Sequence, residues 1–176
     1  MKLHNDNLIF SPSDLILFLE SPFASWMEHF GLISPEALDL KDQDDAMMLM
    51  LQDKGAEHES SVLEGLKQQG LTIANIGLSS DKKAATIQAM KEGADVVFQA
   101  CLSQDQFTGF ADFLVRVPGS SQLGDYHYEI WDTKLSKSLQ PYYTIQLCCY
   151  QEMIAAIQGR YSNDFVIILI TLLFSL

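Results

Sequence analysis

The chain has 176 residues, of which 48% are hydrophobic and 19% are charged, and 11 Lys and Arg residues stand against 23 Asp and Glu residues. This composition excludes a basic, histone-like DNA-binding protein and a disordered acidic tail, because about half of the chain can be buried. Most of the net charge of −12 comes from residues 1–60, which contain 12 acids and 3 bases. One domain is expected, since a chain of this length can bury a core without disulfides.

The first part of the chain predicts two short helices and a polar linker. Residues 11–14 (SPSD) offer N-cap oxygens ahead of an apolar run, which predicts a helix that ends near Ser21. A second helix is predicted over residues 23–30, with Gly31 as its end. The acidic stretch 39–45 is predicted to be a solvent-exposed linker.

A longer helix is predicted over residues 44–69, with Gly70 as its end. A short helix over residues 86–92, ending at Gly93, is predicted to follow it. The apolar stripe expected on the long helix consists of Met47, Leu51, His58, Val62 and Leu66.

The second half of the chain changes to a strand-like period. Strands are predicted over residues 96–102, 107–117 and 126–135, and the segment 118–125 between the last two is predicted to be a hairpin loop. A helix from Pro141 to Gln158 and a strand from about Phe165 complete the order. This order predicts an α/β fold of the α+β type, with a mixed sheet in which the last strand joins after a helical crossover.

The C-terminal stretch 165–176 carries no charge but has only 12 residues. A membrane-spanning helix needs about 20 residues, so a buried strand is favoured over a tail anchor, and no membrane partner is expected. The chain is expected to stop within or just after its last core strand. No signal peptide is expected from the first residues and the sequence has no C-x-x-C pair, so a cytoplasmic location with reduced cysteines is expected.

The two long strands bring acidic side chains together. If they form a hairpin, Asp112 faces Trp131 or Asp132, and Asp132 shares one strand face with Lys134. Buried carboxylates need compensation, and a divalent cation such as Mg²⁺ would provide it with oxygen ligands. An Asp–Lys ion pair on a solvated sheet face remains the alternative.

Two further features extend this set. Gln146 and Tyr150 are four residues apart and therefore share one helix face, while His58 lies on the apolar stripe of the long helix. Taken alone, the histidine could be a core residue whose hydrogen-bonding groups are paired within the protein. The Gln/Tyr pair could simply lie on the surface.

The ordered set resembles the RecB-like nucleases of the PD-(D/E)XK superfamily, to which CRISPR-associated exonucleases also belong. The resemblance spans nearly the whole chain and rests on SPSDL (11–15), SPFASW (21–26), GAEHE (55–59), GADVVFQA (93–100), GFADFL (109–114), EIWDTKL (129–135) and QLCCY (146–150). It implies an α-β-β-β-α-β core preceded by N-terminal helices. In this scheme residues 1–43 are a helical segment with a linker and residues 44–176 are the catalytic core of a single nuclease domain.

The resemblance also implies hydrolysis of DNA phosphodiester bonds with Mg²⁺ or Mn²⁺. By matched position, His58, Asp112 and Asp132 would be metal ligands, and the Thr133 carbonyl would complete the site. Lys134 would be the catalytic lysine, expected to act as a cation that positions water and stabilises the transition state. Gln146 and Tyr150 would orient Lys134 and the DNA strand.

Two departures from the family pattern affect the expected cofactors and partners. Many relatives hold an iron–sulfur cluster, but here Ser21 precedes Pro22 and no cysteine cluster follows Tyr150, so no cluster is expected. Relatives with this N-terminal arrangement are commonly longer and carry a helicase-like region, so such a region or another protein is an expected partner besides DNA. The leading hypothesis is a DNA-repair exonuclease; the alternative is a non-cleaving nuclease-fold fragment that docks DNA or protein.

Overall fold

The centre of the molecule is a five-stranded mixed sheet with helices on both faces, seen in a computed structural model that describes residues 1–5, 7–38 and 46–170. The strands are β1 (Lys2–His4), β2 (Asn7–Ile9), β3 (Ile73–Asn75), β4 (Val96–Gln104), β5 (Phe107–Ser121), β6 (Gly124–Lys134) and β7 (Phe165–Leu169). The helices are α1 (Pro12–Glu20), α2 (Pro22–Ile33), α3 (Pro35–Leu38), α4 (Ala46–Gln68), α5 (Lys82–Glu92) and α6 (Pro141–Gln158). The predicted mixed α/β class is therefore confirmed.

The sheet has the order β3-β4-β5-β6-β7. The β4-β5-β6 meander is antiparallel, because short turns join its strands. The last strand joins the sheet after the α6 crossover, as predicted from the element order, and the structure shows that it pairs in parallel with β6. β1 and β2 form a separate two-stranded ribbon that was not predicted from the sequence.

The N-terminal helices follow their capping residues. Ser11 closes a capping box with Asp14 at the start of α1, and Ser21 caps α2. The predicted end of α2 at Gly31 is wrong, since the helix continues to Ile33. It stops there because Ser34 precedes a proline and adopts an extended conformation.

The long helix α4 lies within its predicted bounds, and its predicted apolar stripe is confirmed only in the second half of the helix. Leu66 is buried against the sheet and Val62 packs beside it, whereas Met47 and Leu51 are exposed; Leu63, which is outside the predicted stripe, is also buried. A Cβ added to Gly55 would lie 3.9 Å from Leu135 Cδ1, so this part of the helix passes close to the end of β6. The linker predicted over 39–45 lies outside the described residues.

The hairpin loop predicted over 118–125 is also wrong, because β5 and β6 continue to Ser121 and Gly124, which pair with each other. Pro118 is tolerated in β5 because it lies past Val115, the last β5 residue that pairs with β4, so its missing N–H breaks no bond to that strand. A bulge between Pro118 and Ser121 adjusts the register, and Gly119 has a φ of 142° there. α5 begins four residues earlier than predicted because Asp81 caps it.

Two apolar clusters cover the two faces of the sheet. The face toward α5 and α6 buries side chains that include Met90, Leu114, Ile130, Leu147 and Ile154. The face toward α4 buries Leu63, Leu66, Val96, Phe113 and Val115. The sheet is thus the middle layer, and α4 reaches it from one side only.

The C-terminal apolar stretch enters the sheet at its edge. Residues Phe165–Leu169 form β7, which confirms the predicted strand and contradicts an anchor helix for this part of the stretch. Residues 171–176 lie outside the described residues. No helix in the described ranges has the length and hydropathy needed to cross a bilayer.

Candidate functional site

The site is built where β5 and β6 face each other. Phe113 pairs with Trp131, so the preceding residue of β5, Asp112, lies across from Asp132 of β6. The predicted convergence of the two aspartates is therefore confirmed. Asp132 is 1% exposed, which means that its carboxylate has left bulk water.

The carboxylate of Asp132 is only partly compensated. Lys134 Nζ lies 2.6 Å from Asp132 Oδ2 as an ion pair, while Oδ1 has no hydrogen-bond partner among the described residues. Burial, together with the charge of Asp112, raises the pKa of Asp132 to about 6 even though Lys134 opposes the shift. One lysine therefore does not balance this pair of acids.

Thr133 lies between the two β6 site residues and holds Asp112 in place. Its backbone N–H and its Oγ1 both donate to Asp112 Oδ2, each over 2.7 Å. The predicted role for Thr133 was a carbonyl ligand; the contacts described are those of its N–H and its hydroxyl. The Asp112 carboxylate is thus oriented by the neighbouring strand.

His58 is directed toward β7. Its Nε2–H donates to the carbonyl oxygen of Ile168 over 3.2 Å, which leaves Nδ1 as the ring nitrogen that could bind a metal. Across residues 1–5, 7–38 and 46–170, no three His, Cys, Asp or Glu side chains form a cluster with metal-ligand geometry. The structure therefore brings Asp112 and Asp132 together, as predicted, but in the described residues it does not join His58 to them in a metal-ligand cluster.

Glu59, which was not selected from the sequence, faces the two aspartates from α4. Burial and the charge of Asp112 raise its pKa to about 7, and Gln99 of β4 donates a side-chain hydrogen bond to its Oε1. The signal that could have identified Glu59 is its spacing from Leu63 and Leu66, four and seven residues further on. Leu66 also belongs to the predicted stripe, whereas Glu59 and Leu63 each lie one residue beyond His58 and Val62 of that stripe.

The α6 residues contact the site at two points. Tyr150 Oη donates to the carbonyl oxygen of Phe110 over 2.7 Å, and Gln146 Nε2 donates to Tyr150 Oη over 3.4 Å. The Tyr143 ring centroid lies 5.5 Å from Lys134 Nζ, a cation–π distance. Tyr150 therefore positions β5 two residues before Asp112, and Tyr143 provides the aromatic face beside Lys134.

The donor chemistry fits a hard divalent cation. Asp132 presents a buried oxygen without a hydrogen-bond partner in the described chain, and the charge of the neighbouring Asp112 acts on both Asp132 and Glu59. Mg²⁺ and Mn²⁺ favour oxygen ligands, and Mg²⁺ commonly uses one or two protein carboxylates with water completing its shell. The two aspartates therefore match the number and the type of protein ligands that such a cation commonly uses.

No protein-family profile, curated protein or solved structure matches this chain. A function must accordingly be argued from the acids, the lysine and their surroundings. These groups can hold a cation, place a positive side chain beside it, and exclude bulk water from one carboxylate.

Proposed function

We propose that this protein is a metal-dependent DNA nuclease, with a RecB-like PD-(D/E)XK core. The observation that carries the proposal is the buried Asp132 carboxylate, with one unpartnered oxygen in the described chain, opposite Asp112 and ion-paired to Lys134. A structural ion pair on a solvated face would not need a carboxylate that is 1% exposed. The choice of DNA as substrate rests on the resemblance of the sequence motifs.

In this proposal Asp112 and Asp132 would hold Mg²⁺ or Mn²⁺, and water would complete the coordination shell of the cation. A bound cation would supply Lewis acidity that neutralises negative charge on the phosphoryl oxygens and makes water more acidic. The two hydrogen bonds from Thr133 keep Asp112 in one orientation for this task. A fixed ligand loses less entropy on binding than a mobile one.

Lys134 acts as a fixed positive charge. Its ion pair with Asp132 and the face of Tyr143 limit where Nζ can move, so the charge is already oriented when phosphate arrives. Preorganised charge of this kind stabilises negative charge that develops in the transition state. Gln146 and Tyr150 support the same region through the Phe110 carbonyl and, in this proposal, also orient the DNA strand.

The test is cleavage of labelled single- and double-stranded DNA by the full chain with Mg²⁺ or Mn²⁺, against an EDTA control. We expect cleavage by the parent protein and a loss of at least about 100-fold for Asp132→Asn and for Lys134→Ala. Asp125→Asn and Lys91→Ala are matched controls on exposed residues, and both should cut at the parent rate.

Two results would contradict the proposal. Parent protein that cuts neither substrate with either metal is not a nuclease of this kind, and equal cleavage by Lys134→Ala would remove the lysine from the mechanism. Binding of Mn²⁺ or DNA without cleavage would instead favour the alternative, a non-cleaving docking module. Calorimetric titration with Mn²⁺ alone separates that outcome from a protein that binds no metal.

A further inference from the structure

Gln99 has an unusual backbone conformation in the middle of β4, with a φ of 56°. The other described non-glycine residues with positive φ, Asn5 and Asp105, lie in turns, where Asn and Asp are well tolerated. A glutamine within a strand has no comparable local reason to adopt a positive φ. A left-handed residue of this type persists only where its surroundings enforce it, and such residues concentrate at functional sites.

The conformation of Gln99 changes the face on which its side chain lies. Val97 belongs to the cluster facing α5 and α6, and strict alternation would place the Gln99 side chain there as well. The side chain instead bonds to Glu59 on α4, on the opposite face, and Ala100 returns to the α5 and α6 cluster. The left-handed residue thus transfers one polar side chain across the sheet.

This interruption of the side-chain alternation in β4 lies next to the candidate site. Phe98 pairs with Phe113 and Ala100 pairs with Ala111, so Gln99 lies across from Asp112. The amide of Gln99 donates to Glu59 Oε1, which restrains a carboxylate that the charges of Asp112 and Asp132 would otherwise repel toward solvent.

We infer that Gln99 is a positioning residue whose left-handed backbone places its amide so that it holds Glu59 beside Asp112 and Asp132. This inference rests on the proposed function, since it assigns Gln99 the task of keeping a third carboxylate near the cation that the aspartates would bind. Gln99 itself touches neither substrate nor metal in this role. It acts through the position of the Glu59 carboxyl group.

The test uses the full chain and two readouts, calorimetric titration with Mn²⁺ in the absence of DNA and thermal unfolding in EDTA. Gln99→Gly accepts the left-handed backbone and removes the amide, so we expect an unchanged or higher Tm and an approximately tenfold weaker Mn²⁺ affinity. Gln99→Asn also tolerates this backbone, but its amide is one methylene too short, so it should behave in the same way.

A comparison with Glu59→Gln tests whether Gln99 affects Mn²⁺ binding through Glu59. That variant should lose a similar factor in affinity, and the double variant Gln99→Gly/Glu59→Gln should lose little more, because both changes remove one interaction. Asp105→Gly is the matched control, as it relieves a left-handed residue at the end of the same strand and should leave Mn²⁺ affinity unchanged.

The possible results separate a failure of the Gln99 role from a failure of the proposed nuclease function. If the parent binds Mn²⁺ and both Gln99 variants bind it equally well, the role of Gln99 is overturned and the proposed nuclease is unaffected. Additive losses in the double variant would likewise overturn it. If the parent binds no Mn²⁺ and cuts no DNA, the proposed function fails, and the positioning role fails with it.

Discussion

Thr133 donates two hydrogen bonds to a single oxygen of Asp112, from its N–H and from its Oγ1, both over 2.7 Å. Two donors on one oxygen fix the torsion of the carboxylate and leave the second oxygen available. The residue between the aspartate and the lysine of β6 thus orients the aspartate of β5. One strand carries Asp132 and Lys134 and also determines how the neighbouring strand presents its acid.

Replacing Thr133 with valine should weaken this arrangement. Valine keeps the shape, the N–H bond and the strand preference of threonine but loses the hydroxyl donor, which costs about 1–3 kcal/mol when the acceptor is charged. We expect a lower free energy of unfolding by urea denaturation and weaker Mn²⁺ binding. Thr133→Ser keeps the donor and should retain most of the affinity. Equal Mn²⁺ affinity for the valine and serine variants would mean that the hydroxyl bond is unimportant.

The acids of the site should make stability depend on pH. Asp132 has a folded-state pKa of about 6 and Glu59 one of about 7, both above their ordinary values because of burial and the charge of Asp112. The fold therefore favours the protonated acids, and this contribution is fully present below about pH 4 and is lost as pH rises through about 6 to 7. For Asp132 the total loss is about 3 kcal/mol.

Urea unfolding in EDTA between about pH 5 and pH 7 measures this effect, because most other carboxylates remain ionised in that range. The free energy of unfolding should fall over the range, and Asp132→Asn should flatten the decrease. Asp125→Asn, on an exposed residue, should keep the parent slope. A parent profile that rises with pH would contradict the assigned direction.

Removing the hydroxyl of Tyr150 should destabilise the junction between α6 and β5. Tyr150→Phe deletes the donor to the Phe110 carbonyl and leaves that oxygen unpaired by this side chain, at a cost of about 1–3 kcal/mol. Tyr161→Phe is the matched control, since Tyr161 is exposed and its hydroxyl bonds to Glu152 at the surface. Thermal and urea unfolding should show a decrease for Tyr150→Phe and almost none for Tyr161→Phe.

Gly109 should not tolerate a side chain. A Cβ at this residue would lie 2.8 Å from Tyr150 Cε1 and 3.0 Å from Pro12 Cδ, so Gly109→Ala must displace Tyr150 or the start of α1. Overpacking of this kind costs about 1–3 kcal/mol. Gly65→Ala is the control: nothing lies within 4 Å of its added Cβ, and alanine within α4 should stabilise by about 0.5–1 kcal/mol. Equal Tm values for the two variants would contradict the packing at Gly109.

The antiparallel meander and the convergence of the two aspartates were predictable because they depend on local rules. Alternating residues and a short connection determine which side chains of a hairpin face each other, so the amino-acid sequence placed Asp112 opposite Trp131 or Asp132, and the register in the structure decides for Asp132. The extent of the hairpin was not predictable from turn residues alone. Whether Pro118 interrupts β5 depends on how far along β5 the pairing with β4 extends, and that depends on tertiary structure.

The contribution of α4 was missed for a related reason. A helix with Met47, Leu51, Leu63 and Leu66 offers more than one plausible stripe, and the choice depends on where the sheet contacts it. Only the second half of α4 packs on the sheet, through Val62, Leu63 and Leu66, so the half with Met47 and Leu51 stays exposed and Glu59 lies on the side toward the aspartates. The role of Gln99 was equally hidden, because its left-handed backbone breaks the alternation on which strand prediction relies.

The β5–β6 hairpin also has a kinetic consequence. It joins Asp112 and Asp132 across about 20 residues of chain, whereas Glu59 and β7 reach them from much further away. Low-contact-order pairs of this kind close early, so we expect the repulsion between the two aspartates to be present in the folding transition state. Asp132→Asn should therefore speed refolding more than it slows unfolding in stopped-flow chevrons, and an unchanged refolding limb would mean that the hairpin forms late.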